Sequence, residues 1–122
     1  MAVTQLTLAD LAASLFSDTA QANAVVAVKS SSAIIYAIEI DNTMNAAQAE
    51  FVKIWNVAAG SVTVGTTVPD MIIPIPANVK RTVLIPEGLT LGTAVSIATV
   101  TTAGTAGTTS PGSAITVRIA YT

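Results

Sequence analysis

The chain reads as all-β: an antiparallel β-sandwich preceded by a short N-terminal helix or arm. Three observations predict this. Apolar and polar residues alternate with a period of two in several separate stretches, which is the pattern of half-buried strands. Those stretches are bounded at fairly regular intervals by Gly, Pro, Ser, Thr and Asn, as expected for many short strands. A helical spacing of apolar residues occurs only near the N-terminus.

Residues 1–22 form the predicted arm. Thr7 with Asp10 three residues later resembles a helix N-cap, and Leu8, Leu11, Leu15 and Phe16 make a short apolar stripe, so a helix is predicted over 8–17. Alone it would be marginal. These four side chains are the candidate contacts to a neighbouring subunit; the alternative is a helix that caps one end of the sandwich.

Residues 23–122 form the predicted β domain. A short strand over 25–30 ends at Ser30-Ser31-Ser32. The strand at 34–41 places Ile34, Tyr36, Ile38 and Ile40 on one side, and Ile35, Ala37, Glu39 and Asp41 on the other. The next, at 51–57, alternates Phe51, Lys53, Trp55 and Val57 with Val52, Ile54 and Asn56. These two strands hold the only Trp and are expected at the centre of the structure. Residues 58–69 read as a loop with a short extended piece at 62–64. Strands at 71–76 and 79–86 suggest a hairpin turning at Ala77-Asn78; Pro74 and Pro76 cannot donate to a ladder, so the first of them belongs at an edge. Glu87-Gly88 reads as a turn, and 93–101 as a strand. The segment 101–112, TTAGTAGTTSPG, holds nothing apolar larger than Ala and is expected to be a mobile exposed loop. The last strand, 114–121, turns Ile115, Val117, Ile119 and Tyr121 to one face, expected to lie in the core. Between an immunoglobulin-like sandwich and a jelly roll these patterns do not decide.

Composition narrows function mainly by exclusion. A chain of 122 residues is one domain, large enough for its own core. It contains no Cys and no His, which removes disulfides, thiolate chemistry, the commonest general base and the commonest metal ligand. No cofactor is expected. Five basic residues against seven acidic ones cannot readily supply the phosphate contacts of a nucleic-acid binder. No apolar run reaches the ~18 residues of a membrane span. The N-terminus lacks a basic n-region and carries Asp10, so synthesis and initial residence in the cytoplasm are expected. Charged residues make up 10% of the chain, against about 25% in an average soluble domain. So low a charge points to a surface partly covered by partner subunits.

Each polar constellation has a bland account. Glu39, Asp41 and Asn42 place three oxygen-bearing groups together, but without EF-hand spacing; Asp41 and Asn42 serve better as the start of a turn. Lys80 and Arg81 point to opposite faces of a strand, which divides any anion patch. Ser30, Ser31 and Ser32 have no His to activate them, and Lys29 alone is thin support for a Ser-Lys pair. Trp55 and Tyr36 suit a sugar-binding face less well than a core or interface role. The chain is read as a non-enzyme.

From Phe51 onward the order of segments is FVKIWN, a loop ending TVGTTVPDMIIPIPAN, then VLIPEGLTLGTAVSIATVTTAGT, and a final VRIAYT. This order resembles small structural proteins of tailed bacteriophages. The matching positions are 52–56, 63–67, 72–76, Gly88-Leu89 and 117–121, and the similarity spans about residues 33–122. The sequence departs from the family pattern at Lys80-Arg81, where those proteins carry small residues. The resemblance implies a jelly-roll sandwich on the virion surface, a cement or decoration protein that bridges major capsid protein subunits. Self-association is expected as well, as a homotrimer, since local three-fold positions are the natural seats on an icosahedral shell and oligomers close by symmetry. A fibre-head or adhesin domain that binds a host glycan, or a small tail component, is the alternative.

Overall fold

A computed structural model describes residues 13–122, and every structural statement below concerns those residues. Eight strands form two packed four-stranded antiparallel sheets. The strands are β1 (Ser14–Gln21), β2 (Val26–Lys29), β3 (Ala33–Asp41), β4 (Glu50–Trp55), β5 (Met71–Ile75), β6 (Lys80–Leu91), β7 (Val95–Val100) and β8 (Ile115–Tyr121). The first sheet has the order β1-β8-β3-β6 and the second β2-β7-β4-β5. The all-β sandwich is therefore the fold of this chain. Hydrogen-bonded neighbours include β1 with β8, β2 with β7, β3 with β6 and β4 with β5, a nested series in which first pairs with last.

The core is made of the inward rows of both sheets. Ile35, Ile38 and Ile40 of β3, Val52 and Ile54 of β4, Ile97 of β7 and Val117 and Ile119 of β8 are fully buried. Branched aliphatic side chains suit this layer because they pack on a pleated surface while losing little rotamer freedom. Ile115, Val117 and Ile119 face the core as expected, with Tyr121 packed against it. β3 and β4 are each central, as expected, but in opposite sheets.

Several sequence expectations are corrected. Residues Ser14–Ser17 are strand, not the C-terminal part of a helix, and the segment up to Gln21 belongs to the sandwich, not to a separate arm. Tertiary pairing overrides local propensity here: β1 covers the edge of β8, and Phe16, opposite Ile119, packs against the core. The remainder of the predicted helix, with Leu8 and Leu11, lies outside the described residues. The hairpin predicted at Ala77-Asn78 is a crossing between sheets, since β5 pairs with β4 and β6 with β3. Asn78 takes φ 56° there, and its N–H donates to the Asn45 carbonyl at 3.1 Å. β5 does lie at an edge, as its prolines require.

The predicted turn at Glu87-Gly88 is absorbed into β6 as an irregularity. The β3–β6 register slips between Ile35 and Ala37, so Ile35 pairs with Leu89 but Ala37 with Leu84. Gly88 sits in the excess segment at φ 80°, where a Cβ would run into the side chains of Ile34 and Tyr36. The slip also moves Ile35 to the core side with Ile38 and Ile40 and leaves Ile34 and Tyr36 only partly buried, against the simple alternation. The 58–69 loop contains a 3-10 turn at Ala59–Ser61; of the extended piece expected at 62–64, Val62 is extended but Val64 already belongs to a turn.

Candidate interaction surface

The two broad outer faces of the sandwich are unlike. That of the second sheet is covered over β4 and β7 by the protein's own loops, while Ala27 of β2 and Pro74 of β5 stay exposed at its edges. Its outward row on β4 is Phe51, Lys53 and Trp55, and Lys53 and Trp55 have no solvent exposure. Trp55 Nε1 donates to the Thr67 carbonyl at 3.0 Å, and Ser96 Oγ, on the neighbouring strand, donates to Val57 O at 2.8 Å. The 56–70 loop is thereby drawn over the sheet. Lys53 Nζ donates to the carbonyls of Thr105 (3.0 Å) and Gly107 (2.7 Å), which holds the second long loop beside the first. The two loops touch: a Cβ on Gly65 would lie 2.5 Å from the Thr108 methyl. The 101–112 segment, expected to be mobile, is thus tied down by a buried lysine, by the Thr101 N–H to Thr109 O bond and by Asn23 Nδ2 to Thr108 O. Burial lowers the pKa of the Lys53 ammonium.

Among the described residues no loop covers the first sheet in the same way. Register places its outward side chains in rows across the four strands. One row is Leu15, Ala120, Ala37 and Leu84, in the order β1-β8-β3-β6. Leu15 is 68% exposed and Leu84 70% exposed, at the two ends of that row. The adjacent row is Ser17, Arg118, Glu39 and Thr82. Arg118 Nη1 donates to Glu39 Oε1 at 2.9 Å, and Lys80 Nζ lies 3.5 Å from the same oxygen. This face combines a bare apolar strip with a small charge network, the composition of a contact surface.

One end of the sandwich holds a buried polar cluster, of which only Asn42 was legible in the sequence, as the start of a turn. Asn42 and Asn45 are its organised part. Asn42 Nδ2 donates to the carbonyls of Gln48 and Pro76, both at 3.0 Å; Asn45 Nδ2 donates to Asn42 Oδ1 at 2.8 Å and to Ser113 O at 2.9 Å. Two side chains thus join the β3–β4 turn, the β5–β6 crossing and the approach to β8. Glu50 starts β4 on the core side, two positions from Val52 and opposite Ile75. Both carboxyl oxygens are buried without a hydrogen-bond partner, as are Thr99 Oγ1 and Gln21 Oε1. Desolvation raises the Glu50 pKa to about 7. Alternation alone could have suggested Glu50 in the core, since it shares the parity of Val52 and Ile54.

The earlier candidates separate. Of the proposed contact residues, Leu15 is on the bare face and Phe16 is turned inward, while Leu8 and Leu11 lie outside the described residues. Asn42 is buried, whereas Asp41 is at the surface, accepting from Thr43 N (3.0 Å) and Thr43 Oγ1 (2.6 Å). Those bonds lower the Asp41 pKa, and Glu39 is engaged with Arg118 and Lys80, so the three do not form a calcium cage. Among the described residues no three His, Cys, Asp or Glu side chains are grouped to hold a metal ion. Lys80 and Arg81 do diverge: Lys80 joins the outer network and Arg81 Nη1 donates to Pro74 O at 2.8 Å. Lys29 and Ser32 both border a shallow pocket of about 310 Å³, but no hydrogen bond joins their side chains. No described helix is long and apolar enough to cross a membrane. No protein-family model, curated protein or solved structure gives a significant match to this chain.

Proposed function

We propose that this chain is a non-enzymatic structural protein of a bacteriophage particle, a capsid cement or decoration protein that contacts major capsid protein subunits and its own copies. The observation that carries the reading is the asymmetry of the sandwich. Loops of the chain lie over the centre of one face, whereas among the described residues none is bonded over the other, where Leu15 and Leu84 stand exposed in one row with the partly exposed Ala120 and Ala37. Apolar strips of this kind are stabilising once covered, at about 25 cal/mol per Å² before association costs. The nested strand order supports the reading further. It is the order obtained by rolling up one long hairpin, and we take it as a jelly roll, an architecture used by viral coat and lectin domains. Fold by itself does not assign function. The sequence resemblance to phage structural proteins supplies the virion context, and the lack of His and Cys supports a non-catalytic role.

The test is the copy number of this chain in purified particles, by quantitative mass spectrometry against the most abundant coat protein. A simple fraction of one per coat subunit is expected. A few copies per particle would move the protein to the tail, and absence from all particles would overturn the reading. Binding to shells should then be tried with a chain that lacks residues 1–12. A longer deletion through Ala22 would remove β1 from the sheet and test folding instead.

The glycan-binding alternative loses its main anchor, because Trp55 is fully buried and bonded to Thr67 O.

A further inference from the structure

We propose that the bare outer face of the first sheet is a two-fold self-association surface, occupied by the same face of a second copy of this chain. The inference rests on reading this face as an assembly surface, and not on the virion assignment.

Across the strand order β1-β8-β3-β6, one outward row is Leu15, Ala120, Ala37, Leu84 and the next is Ser17, Arg118, Glu39, Thr82. Consider a two-fold axis parallel to the strands, midway between β8 and β3 and lying between two facing sheets. It maps each row onto itself in reverse order. Leu15 of one copy then lies over Leu84 of the other, Ala120 over Ala37, and Ser17 over Thr82. Arg118 lies over Glu39 of the other copy. The intramolecular Arg118–Glu39 pairs stack head to tail, each Glu39 also keeping its own Lys80 at 3.5 Å. Both the apolar and the charged row are self-complementary under one operator, which is what an isologous contact requires.

Ala120 and Ala37 are only partly exposed, so the apolar contact is carried by the two Leu15–Leu84 pairs at the ends of the row. Other operators fare worse. An in-plane axis perpendicular to the strands that brings the apolar rows together places Leu15 over Leu15 and carries each charged row away from its copy. If it is moved so that the charged rows meet, Arg118 faces Arg118 and Glu39 faces Glu39.

The area sets the expected affinity. Four strands at ~4.8 Å spacing and seven residues at ~3.3 Å give a face of roughly 19 by 23 Å. That is below the ~800 Å² per partner of a standard interface even after allowing for corrugation, so a weak dimer is expected, with a Kd in the micromolar range.

The chain has no cysteine, so single thiols can be placed without background. The experiment uses the full chain and two variants, Leu15→Cys and Leu84→Cys, both at exposed positions where folding should survive. Each is exposed to a short bifunctional thiol crosslinker, alone and as an equal mixture. Sedimentation of the wild type and of Leu84→Lys is followed over about 1 to 300 µM, a range that brackets a micromolar Kd. Expected are a concentration-dependent wild-type dimer, at least ten-fold weaker association of Leu84→Lys, and crosslinked dimer chiefly in the mixture. A wild-type monomer throughout, a trimer, or crosslinking as strong for either variant alone as for the mixture would overturn the proposal. A monomer that still occupies particles would end this inference only; a dimer absent from every particle would end the virion reading only.

Discussion

Lys53 Nζ lies 2.7 Å from the carbonyl oxygen of Gly107, 54 residues away in sequence. A charged side chain at the centre of a sheet thus holds down a loop that has no apolar anchor of its own. The ammonium keeps two charge-assisted hydrogen bonds to loop carbonyls in exchange for its hydration. Lys53→Met should therefore release residues 101–112. We expect global stability to fall by about 1–2 kcal/mol, with a much larger effect on the loop itself. Urea denaturation measures the first, and limited proteolysis, with cleavage mapped to 101–112, measures the second. A protease pattern identical to that of the wild type would show that Lys53 is not the anchor.

Glu50 should make the protein less stable as pH rises through the weakly acidic range. Its folded pKa, about 7, is above the ordinary carboxyl value of 4.5. Below pH 4.5 both folded and unfolded chains hold the proton. Between 4.5 and 7 the unfolded chain has released it and the folded chain has not, so the folded state loses stability with rising pH; above 7 the difference is constant. The full loss is on the order of 3 kcal/mol. Glu50→Gln keeps the shape and removes the titration. Its stability should be flat over this window in urea midpoints measured at pH 5, 6, 7 and 8, and should exceed that of the wild type at pH 8.

Asp41 should act in the opposite sense at lower pH. Its hydrogen bonds from Thr43 hold its pKa below 3.8, so its contribution is present above that value and is lost as pH falls through the folded pKa. Thr43→Val removes the Oγ1 bond. Its stability deficit against the wild type should be visible at pH 6 and should shrink as pH falls below 3.8. A constant deficit would assign the effect of Thr43 to packing.

Asn42 should be among the most sensitive positions in the fold. Its side chain bonds two carbonyls from different connections and accepts from Asn45, all at a buried site. Asn42→Ala leaves those partners unsatisfied, and a loss of about 3 kcal/mol or more is expected in chemical denaturation. Asn42→Asp tests the same site differently, because a carboxylate cannot donate to Gln48 O and Pro76 O; it should be at least as damaging at pH 7.

Gly88→Ala should cost about 1–3 kcal/mol, because the added Cβ meets both a φ of 80° and the side chains of Ile34 and Tyr36. A thermal-melt comparison is sufficient. An unchanged melting temperature would mean that the β3–β6 irregularity can be relaid without Gly88.

The all-β class, most strand positions, the edge position of the Pro74 strand and the inward face of β8 were legible in the sequence. These follow from local quantities: a period of two, missing backbone donors and turn residues. Where periodicity is interrupted and which strands are neighbours depend on contacts between distant parts of the chain. The register slip opposite Gly88 sends Ile35 inward, although alternation groups it with Glu39 and Asp41. Ser14–Gln21 becomes strand because β8 offers it a ladder 100 residues away, which no local pattern records. Whether Lys53 and Glu50 are surface charges or buried ones is likewise not a property of β4. It depends on two loops folding over one side of the strand and a second sheet closing on the other. Burial of a charge is decided by what covers it, and that cover comes from distant chain.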